Sequence, residues 1–214
     1  MIAVVRNEVD PDREYHCDAL ASHFPGEPEF DFVRGDRPPL DDVDGVVLTG
    51  STAGVYEADD RPWITEQAAL VRELVDRGVP TLGVCFGHQL VNAALGGTVE
   101  HVGTTSRLVE AEFADDPLFA DVPPVVPAVH GDVVTEPGEE LAVIASTEYY
   151  PAFGTRHREA PLWTVQFHPE VTVDLRERIA EDFGWTESPL SFEDADTPRL
   201  FENFRELVAD AAVG

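Results

Sequence analysis

The sequence contains no lysine, and its 14 basic residues are all arginines, set against 42 aspartate and glutamate residues. The formal net charge at pH 7 is −28. Nucleic acids and anionic membrane surfaces are bound by basic patches. We therefore expect this chain to bind neither nucleic acid nor a membrane surface.

The acidic residues are spread along the whole chain, including segments with helical apolar periodicity. This pattern is typical of a folded protein with an acidic surface and not of a disordered acidic tail. Self-repulsion would weaken the compact state unless concentrated cations screened it. We predict a halophilic source, the alternative being an ordinary acidic protein. Thermal unfolding that is indifferent to KCl, from low to molar concentration, would contradict the halophilic prediction.

Long apolar runs are also missing, since no stretch approaches the roughly 18 apolar residues of a membrane span. The start of the chain, Met-Ile-Ala-Val-Val-Arg, lacks the basic leader of a signal peptide. Only two cysteines occur, Cys17 and Cys85, and so low a count fits a reducing compartment. We therefore expect a cytoplasmic protein.

Short β-branched runs bounded by Gly, Pro or Asp have the composition of strands buried on both faces. Apolar periodicity predicts helices between and after them. The predicted strands are residues 2–6, 30–33, 45–49 and 80–84, and the predicted helices are residues 62–77, 86–97, 173–183 and 198–212.

Alternating strands and helices predict an α/β fold: a three-layer sandwich with a mostly parallel central sheet and helices on both faces. Residues 98–167 contain short extended runs broken by Pro and Gly, which predict antiparallel additions to that sheet. No stretch has the composition of a linker, so residues 1–214 are expected to form a single domain.

The segment 79–97, VPTLGVCFGHQLVNAALGG, carries the strongest chemical signal. A buried strand runs directly into Cys85 and then into a helix, which predicts a tight turn that exposes a nucleophile. The N-terminus of the following helix favours an anionic sulfur. Two alternatives stay open: an inert buried cysteine, and a zinc site formed by Cys85 and His88. The zinc alternative lacks a second pair of ligands with suitable spacing, and no metal is expected.

A thiolate nucleophile needs a general base and a group that orients that base. The segment QFHPE supplies His168 and Glu170, which share a face if the segment is extended. The carboxylate would then fix the imidazole tautomer while the other ring nitrogen faces Cys85. A strand-end turn with solvated polar groups is the alternative.

A third segment, GVVLTGSTAGVY, places a Gly-rich loop after a buried strand. Backbone N–H groups of such a loop could form half of an oxyanion hole, with the N–H of Phe86 as the other half. A simple turn or a phosphate cradle are alternatives, although the loop lacks the Gly-Lys-Ser/Thr ending of a nucleotide P-loop.

In this order and at these separations, GVCFGHQL, QFHPE and the Gly-rich loop resemble the class I (triad) glutamine amidotransferases, over roughly residues 43–172. The resemblance implies the flavodoxin-like fold of that class, no cofactor, and a glutamine or γ-glutamyl substrate. Because VHGDVVTEPGEELAVIAST is also similar, the nearest resemblance is to the amidotransferase part of GMP synthase and its stand-alone relatives. In that family a synthetase subunit receives the released ammonia.

The resemblance also implies a role for each matching residue. Cys85 is the implied nucleophile, His168 the base and acid, and Glu170 the orienting carboxylate. The implied oxyanion hole is the backbone at Ser51 and Phe86, and the implied substrate-binding residues are Gly50, Gln89, His130, Gly131 and Asp132.

The sequence departs from the family pattern in three respects. The loop reads Gly50-Ser51-Thr52 where many members have Gly-Gly-Pro, residues 1–40 do not resemble the opening of GMP synthase, and these 214 residues contain no ATP-pyrophosphatase domain. The expected function is a glutaminase that serves an acceptor enzyme. The alternatives are a stand-alone γ-glutamyl peptidase or hydrolase and a non-catalytic scaffold. His88 is expected either in packing or next to the catalytic groups. The remaining cysteine and histidines are expected to be structural or surface residues and not catalytic ones: Cys17, His16, His23, His101 and His157.

Overall fold

A computed structural model describes residues 1–212. Its helices are α1 (Tyr15–Ala21), α2 (Pro62–Arg77), α3 (Phe86–Ala94), α4 (Arg176–Phe183) and α5 (Arg199–Ala211). Its strands are β1 (Ile2–Arg6), β2 (Glu29–Asp31), β3 (Gly45–Leu48), β4 (Thr81–Val84), β5 (Thr98–Glu110), β6 (Glu112–Phe113), β7 (Val125–Glu136), β8 (Leu141–Ser146), β9 (Gly154–His157) and β10 (Leu162–Val165). The predicted helices and strands are therefore present, with boundaries shifted by up to three residues. Helix α1 was not predicted.

Eight strands form the main sheet, in the order β2-β1-β3-β4-β10-β9-β8-β6. The first five are parallel to one another, and β9, β8 and β6 are added in antiparallel fashion. This arrangement confirms the predicted α/β fold with a mostly parallel sheet.

The main sheet is covered on both faces because its strands alternate side chains between two separate cores. In β1, Ile2 and Val4 belong to one core and Ala3 and Val5 to the other. The first core contains side chains of α1 and α5, and the second contains those of α2 and α3. Burial on both faces explains why these strands read as continuous apolar runs, and it confirms the three-layer sandwich.

Strands β5 and β7 correct one prediction, because they do not extend the main sheet. Among residues 1–212 they pair only with each other, as an antiparallel ribbon with a register shift between His101 and Thr105. The half of the ribbon that contains Leu108 and Val126 is buried in the core, whereas residues 100–104 are exposed. The extended conformation of these segments was correctly predicted, but which strand each one pairs with depends on tertiary contacts.

Helix α2 ends where its sequence predicts. Gly78 follows with φ of 65°, and its N–H donates to the Val75 carbonyl at 3.1 Å, while the Val79 N–H donates to the Leu74 carbonyl at 3.0 Å. Among residues 1–212, no helix has the length and hydropathy needed to cross a membrane. The single-domain organisation stays a prediction, and Val213 and Gly214, which it includes, lie outside the described residues.

Candidate active site

Cys85 lies on the sharp turn between β4 and α3, at the carboxyl end of the main sheet. Its backbone has φ of 52° and ψ of −103°, a conformation that L-residues rarely adopt, and its N–H donates to the Val165 carbonyl at 2.9 Å. The turn is tight, because a Cβ on Gly87 would lie 2.5 Å from the Leu48 carbonyl oxygen. The sequence-predicted elbow is thus present, and the glycine allows the helix to pass close to β3.

His168 and Glu170 reach the same place because β10 pairs with β4, with Val165 opposite Val84. The two segments that leave these strands therefore start side by side. Glu170 Oε1 accepts from His168 Nδ1 at 2.6 Å, and both side chains are buried. His168 Nε2 lies 3.1 Å from the Val129 carbonyl oxygen, and the Cys85 sulfur lies 3.7 Å from the same oxygen. The sulfur of Cys85 and the imidazole of His168 therefore lie next to the same carbonyl oxygen.

The electrostatics of this cluster favour an imidazolium. Burial alone would lower the pKa of His168, but Glu170 and Cys85 outweigh it and raise that pKa well above its usual value. His168 is therefore held as an imidazolium between Glu170 and Cys85.

The Gly-rich loop follows β3, the strand next to β4, and passes beside His168. A Cβ placed on Gly50 would lie 3.3 Å from Cε1 of His168 and 3.3 Å from Cε1 of His16. Within residues 1–212, neither the Ser51 nor the Phe86 backbone N–H donates a hydrogen bond to another protein group. Two backbone donors without a protein acceptor therefore flank the site, one in the loop that lines the cleft beside Cys85 and one on the residue after Cys85.

A cleft of about 230 Å³ opens over Cys85 and His168. Ser51 and the predicted substrate-binding residues on β7 and α3 also line it: Gln89, His130, Gly131 and Asp132. Gly50, Phe86 and Glu170 are not part of its wall, since they lie behind these residues. The structure thus brings all the predicted site residues together, in two layers.

The Asp132 side of the cleft is held by a polar network. Its carboxylate accepts from His101 at 2.7 Å and from the Tyr56 hydroxyl at 3.4 Å, and its backbone carbonyl accepts from Gln89 at 3.3 Å. Burial, with a contribution from the nearby His168, lowers the pKa of His130 to about 4. His130 is therefore neutral, so its Nδ1–H donates to the Asp132 carbonyl while Nε2 accepts from the Tyr149 hydroxyl.

Gln166 touches the nucleophile and was not singled out from the sequence. Its Nε2 donates to the Cys85 sulfur at 3.4 Å, and its Oε1 accepts from Tyr150 at 3.3 Å and from Gln89 at 3.2 Å. The signal for it was available, because Gln166 precedes His168 by two residues and shares its face in an extended segment. Tyr150 lies in the connection between β8 and β9 and gave no such signal.

His16 and Cys17, for which structural or surface positions were predicted, lie in the interior. Both are buried, and His16 lines the cleft beside His168, with ring centroids 6.2 Å apart. The Nε2 of His16 meets the carboxylate of Glu8 at 2.8 Å. Neither α1 nor Glu8 carried a recognisable motif, so sequence reasoning missed both.

His88 packs in the interior, as predicted. Its ring nitrogens bond Thr164 at 2.7 Å and Tyr150 at 3.0 Å, and burial lowers its pKa to about 3. Both ring nitrogens of His88 are thus engaged with hydroxyl groups of the interior. In the described part of the chain, no three His, Cys, Asp or Glu side chains are grouped so that they could hold a metal ion.

Comparison with known proteins agrees with this geometry. The family model of class-I glutamine amidotransferases matches residues 24–186. The glutamine-hydrolysing GMP synthase of Lactobacillus delbrueckii subsp. bulgaricus is 35% identical over 149 residues, which are 64% of this chain and 27% of that protein. The GMP synthase of Mycobacterium tuberculosis is 39% identical over 129 residues, 59% of this chain and 23% of that protein. The chain thus spans about a quarter of the length of these relatives.

Solved structures share the fold. A glutamine amidotransferase from Thermotoga maritima superposes with a TM-score of 0.74 at 19% identity, covering 100% of this chain and 99% of that one. A glutamine amidotransferase from Methylobacillus flagellatus gives a TM-score of 0.72 at 19% identity, covering 98% and 94%. At this identity, the likeness to solved structures shows the fold alone. The family is shown by the match of its model over most of the chain: the protein belongs to the class-I glutamine amidotransferase family.

Proposed function

We propose that this protein hydrolyses the side-chain amide of glutamine through Cys85, His168 and Glu170. The Cys85 thiolate attacks the amide carbon, a C–S bond forms, and the carbonyl electron pair moves to oxygen. The tetrahedral anion collapses, the C–N bond breaks, and His168 Nε2 gives its proton to the departing nitrogen. The products of this half-reaction are ammonia and a γ-glutamyl thioester.

Hydrolysis of the thioester uses the same groups in reverse. Water attacks the thioester carbon and loses a proton to His168, and the C–S bond breaks to return the thiolate and release glutamate. Glu170 holds Nδ1 throughout, so that Nε2 stays directed at the reacting atoms.

One observation carries the proposal: the strained Cys85 elbow stands beside an imidazole that a buried carboxylate holds at 2.6 Å. The free N–H groups of Ser51 and Phe86 support it, because they are the donors a developing oxyanion needs. Gln89, His130 and Asp132 would contact the amino acid end of the substrate, and Gly50 would shape the loop behind it. Asp132 offers a carboxylate to the substrate ammonium.

The relatives support a proposal for the fate of the ammonia. The matched curated proteins are GMP synthases, and this chain covers only about a quarter of their length. We propose that ammonia passes to a synthetase subunit or domain, in a GMP synthase-like arrangement. Ammonia release that rises when the acceptor enzyme and its substrates are added would support this partnership.

The experiment that tests the nucleophile uses a glutamine analogue with an electrophilic carbon at the amide position. Intact mass is measured after incubation in high salt for the natural protein, Cys85→Ala and Cys17→Ala. One adduct on the natural protein and on Cys17→Ala, with none on Cys85→Ala, is the expected result. Absence of an adduct on the natural protein would favour the non-catalytic scaffold.

A γ-glutamyl hydrolase is the second candidate, because the cleft continues past the catalytic groups to Ile179 and Phe183 on α4 and to Arg13. Arg13 could face a carboxylate on a leaving amino acid. Ammonia release from glutamine and amino acid release from γ-glutamyl dipeptides, assayed side by side, separate the two candidates by their ratio of kcat/KM.

A further inference from the structure

The loop that carries the Ser51 N–H differs from the family pattern at Thr52, where many members have proline. Proline has a fixed φ and no N–H, so it stiffens a loop and needs no acceptor. Threonine has neither property, and it brings a backbone N–H and a hydroxyl that must be satisfied when they lie beside a buried cleft.

Glu8, from the unfamiliar N-terminal segment, meets that need. Its Oε2 accepts from the Thr52 N–H at 3.0 Å, and its Oε1 accepts from the Thr52 hydroxyl. The same carboxylate accepts from the N–H groups of Val9 and Asp10, each at 2.8 Å, and is 5% exposed. Glu8 lies two residues after the end of β1, so its hydrogen bonds to Thr52 connect the loop to the main sheet. Hydrogen bonds to a charged carboxylate are stronger than those between neutral groups.

His16 completes the support from the other side of the loop. Its Nε2 bonds Glu8 at 2.8 Å, and its Cε1 would lie 3.3 Å from a Cβ at Gly50. The ring therefore packs against the loop backbone one residue before Ser51, while Glu8 holds it one residue after Ser51.

We propose that Glu8 and His16 are positioning residues that fix the loop 50–52, so that the Ser51 N–H points at the oxygen of the scissile carbonyl. The proposal rests on the proposed amide hydrolysis. It assigns to a residue that follows β1 and to a residue of α1 the rigidity that a proline supplies in many family members. Neither residue touches the reacting atoms.

The charge state agrees with this geometry. Burial alone would raise the pKa of Glu8, but the bonds from His16 and Thr52 outweigh it and hold that pKa below its usual value. Burial would lower the pKa of His16, but Cys17 and Glu8 outweigh it and raise that pKa to about 10. The pair is therefore ionised at neutral pH, and it remains a strong acceptor for Thr52.

The test compares Glu8→Gln with Asp12→Asn, which removes an equal charge from an exposed side chain nearby. Turnover of glutamine should fall about tenfold to a hundredfold in Glu8→Gln and not in Asp12→Asn, since a misplaced oxyanion donor costs part of its full contribution. Alkylation of Cys85 by iodoacetamide, located by mass spectrometry, should change by less than about threefold, because that reaction develops no oxyanion. Loss of both rates together, or of neither, would overturn the proposal.

Thr52→Pro provides the rescue. It removes the two Thr52 donors, the N–H and the hydroxyl, that bond Glu8, so Glu8→Gln/Thr52→Pro should recover most of the turnover lost in Glu8→Gln. A double variant no better than Glu8→Gln would overturn the proposal, because the carboxylate would then act elsewhere. If Glu8→Gln does not fold, Thr52→Ala, which removes the hydroxyl bond alone, replaces it, and unchanged turnover in that variant would count against the positioning role.

A readout without catalysis separates this proposal from the proposed function. Amide hydrogen exchange of residues 50–53 should quicken in Glu8→Gln while exchange in β3 and β4 stays as it was. If the natural protein releases no ammonia but the loop loosens as expected, the hydrolase proposal fails and the positioning of the loop stands. Unchanged exchange in the loop would overturn the positioning role whatever the activity.

Discussion

Two carboxylate–imidazole pairs flank Gly50, and only one of them adjoins a thiol on a strained turn. Glu170 and His168 are joined at 2.6 Å, and Glu8 and His16 at 2.8 Å. The two rings stand 6.2 Å apart at an interplanar angle of 83°. Both imidazoles have a raised pKa, and both line the same cleft.

The difference lies in what each pair holds. His168 adjoins Cys85, whose backbone is strained and whose sulfur opens on the cleft. His16 adjoins Cys17, which is fully buried inside α1 and lies 3.3 Å from the Thr49 hydroxyl. Glu8 also accepts from loop backbone groups, whereas Oε2 of Glu170 has no partner within residues 1–212. The same three chemical groups thus occur twice, and only the sulfur of Cys85 opens on the cleft, which is why we propose reaction at one group and support at the other.

The sharpest way to break the comparison is to remove each sulfur. Cys85→Ala should reduce ammonia release by on the order of 10⁵-fold, because the covalent step is lost. Cys17→Ala should keep turnover within about threefold and lose a little stability, since it removes a small buried side chain. Comparable losses in the two variants would show that the thiols are not divided in this way.

Removing each imidazole should give the next largest contrast. His168→Gln loses the proton donor and acceptor and should lower kcat on the order of 10³-fold. His16→Gln should lower kcat only about tenfold, because the loop loses support but the proton path is intact. Steady-state assays at saturating glutamine measure both, and an equal loss in the two variants would contradict the assignment of separate roles.

A methyl group added between the two pairs should disturb both. Gly50→Ala places its Cβ 3.3 Å from each ring, so the loop must shift by a few tenths of an ångström, and kcat should fall about tenfold. Gly45→Ala, at the other end of β3, crowds a Val208 methyl at 2.8 Å and should lower Tm without changing kcat. Unaltered kcat in Gly50→Ala would mean that the loop tolerates the shift.

The sequence allowed the first pair to be predicted and not the second, for physical reasons. Cys85 and His168 stand in segments whose strand–turn–helix and extended patterns fix side-chain direction locally. Glu8 and His16 act through Thr52, which is distant in sequence and is reached only when β1 lies beside β3. The pairing of β5 with β7 was missed for the same reason, since partner choice is a tertiary property.

The halophilic source that the acidic, lysine-free composition predicts remains a separate prediction. The parallel half of the main sheet, by contrast, followed from local signals alone, because burial on both faces leaves continuous apolar runs such as residues 2–5. Continuous apolar runs therefore predicted the parallel strands well. The mixed segments of residues 98–167 predicted antiparallel strands but not which strands pair.

The smallest expected effect is on the pH dependence of stability, which reports whether His16 is protonated in the native state. The pKa of His16 is raised from 6.5 to about 10, so between these values the native state keeps a proton that the unfolded chain has released. The His16 contribution is complete below pH 6.5 and is lost as pH rises towards 10, at about 1.4 kcal/mol of unfolding free energy per pH unit. His168 contributes in the same direction.

Urea unfolding at fixed high KCl, between about pH 7 and pH 9, measures this slope. The natural protein should lose stability with rising pH, and His16→Gln should lose it less steeply, by about 1.4 kcal/mol per pH unit. His23→Gln is the matched control, because burial lowers the pKa of His23, which is therefore uncharged in both states over this range. Parallel slopes for the natural protein and His16→Gln would show that His16 is not held as a cation, and the likeness of the two pairs would then end at their geometry.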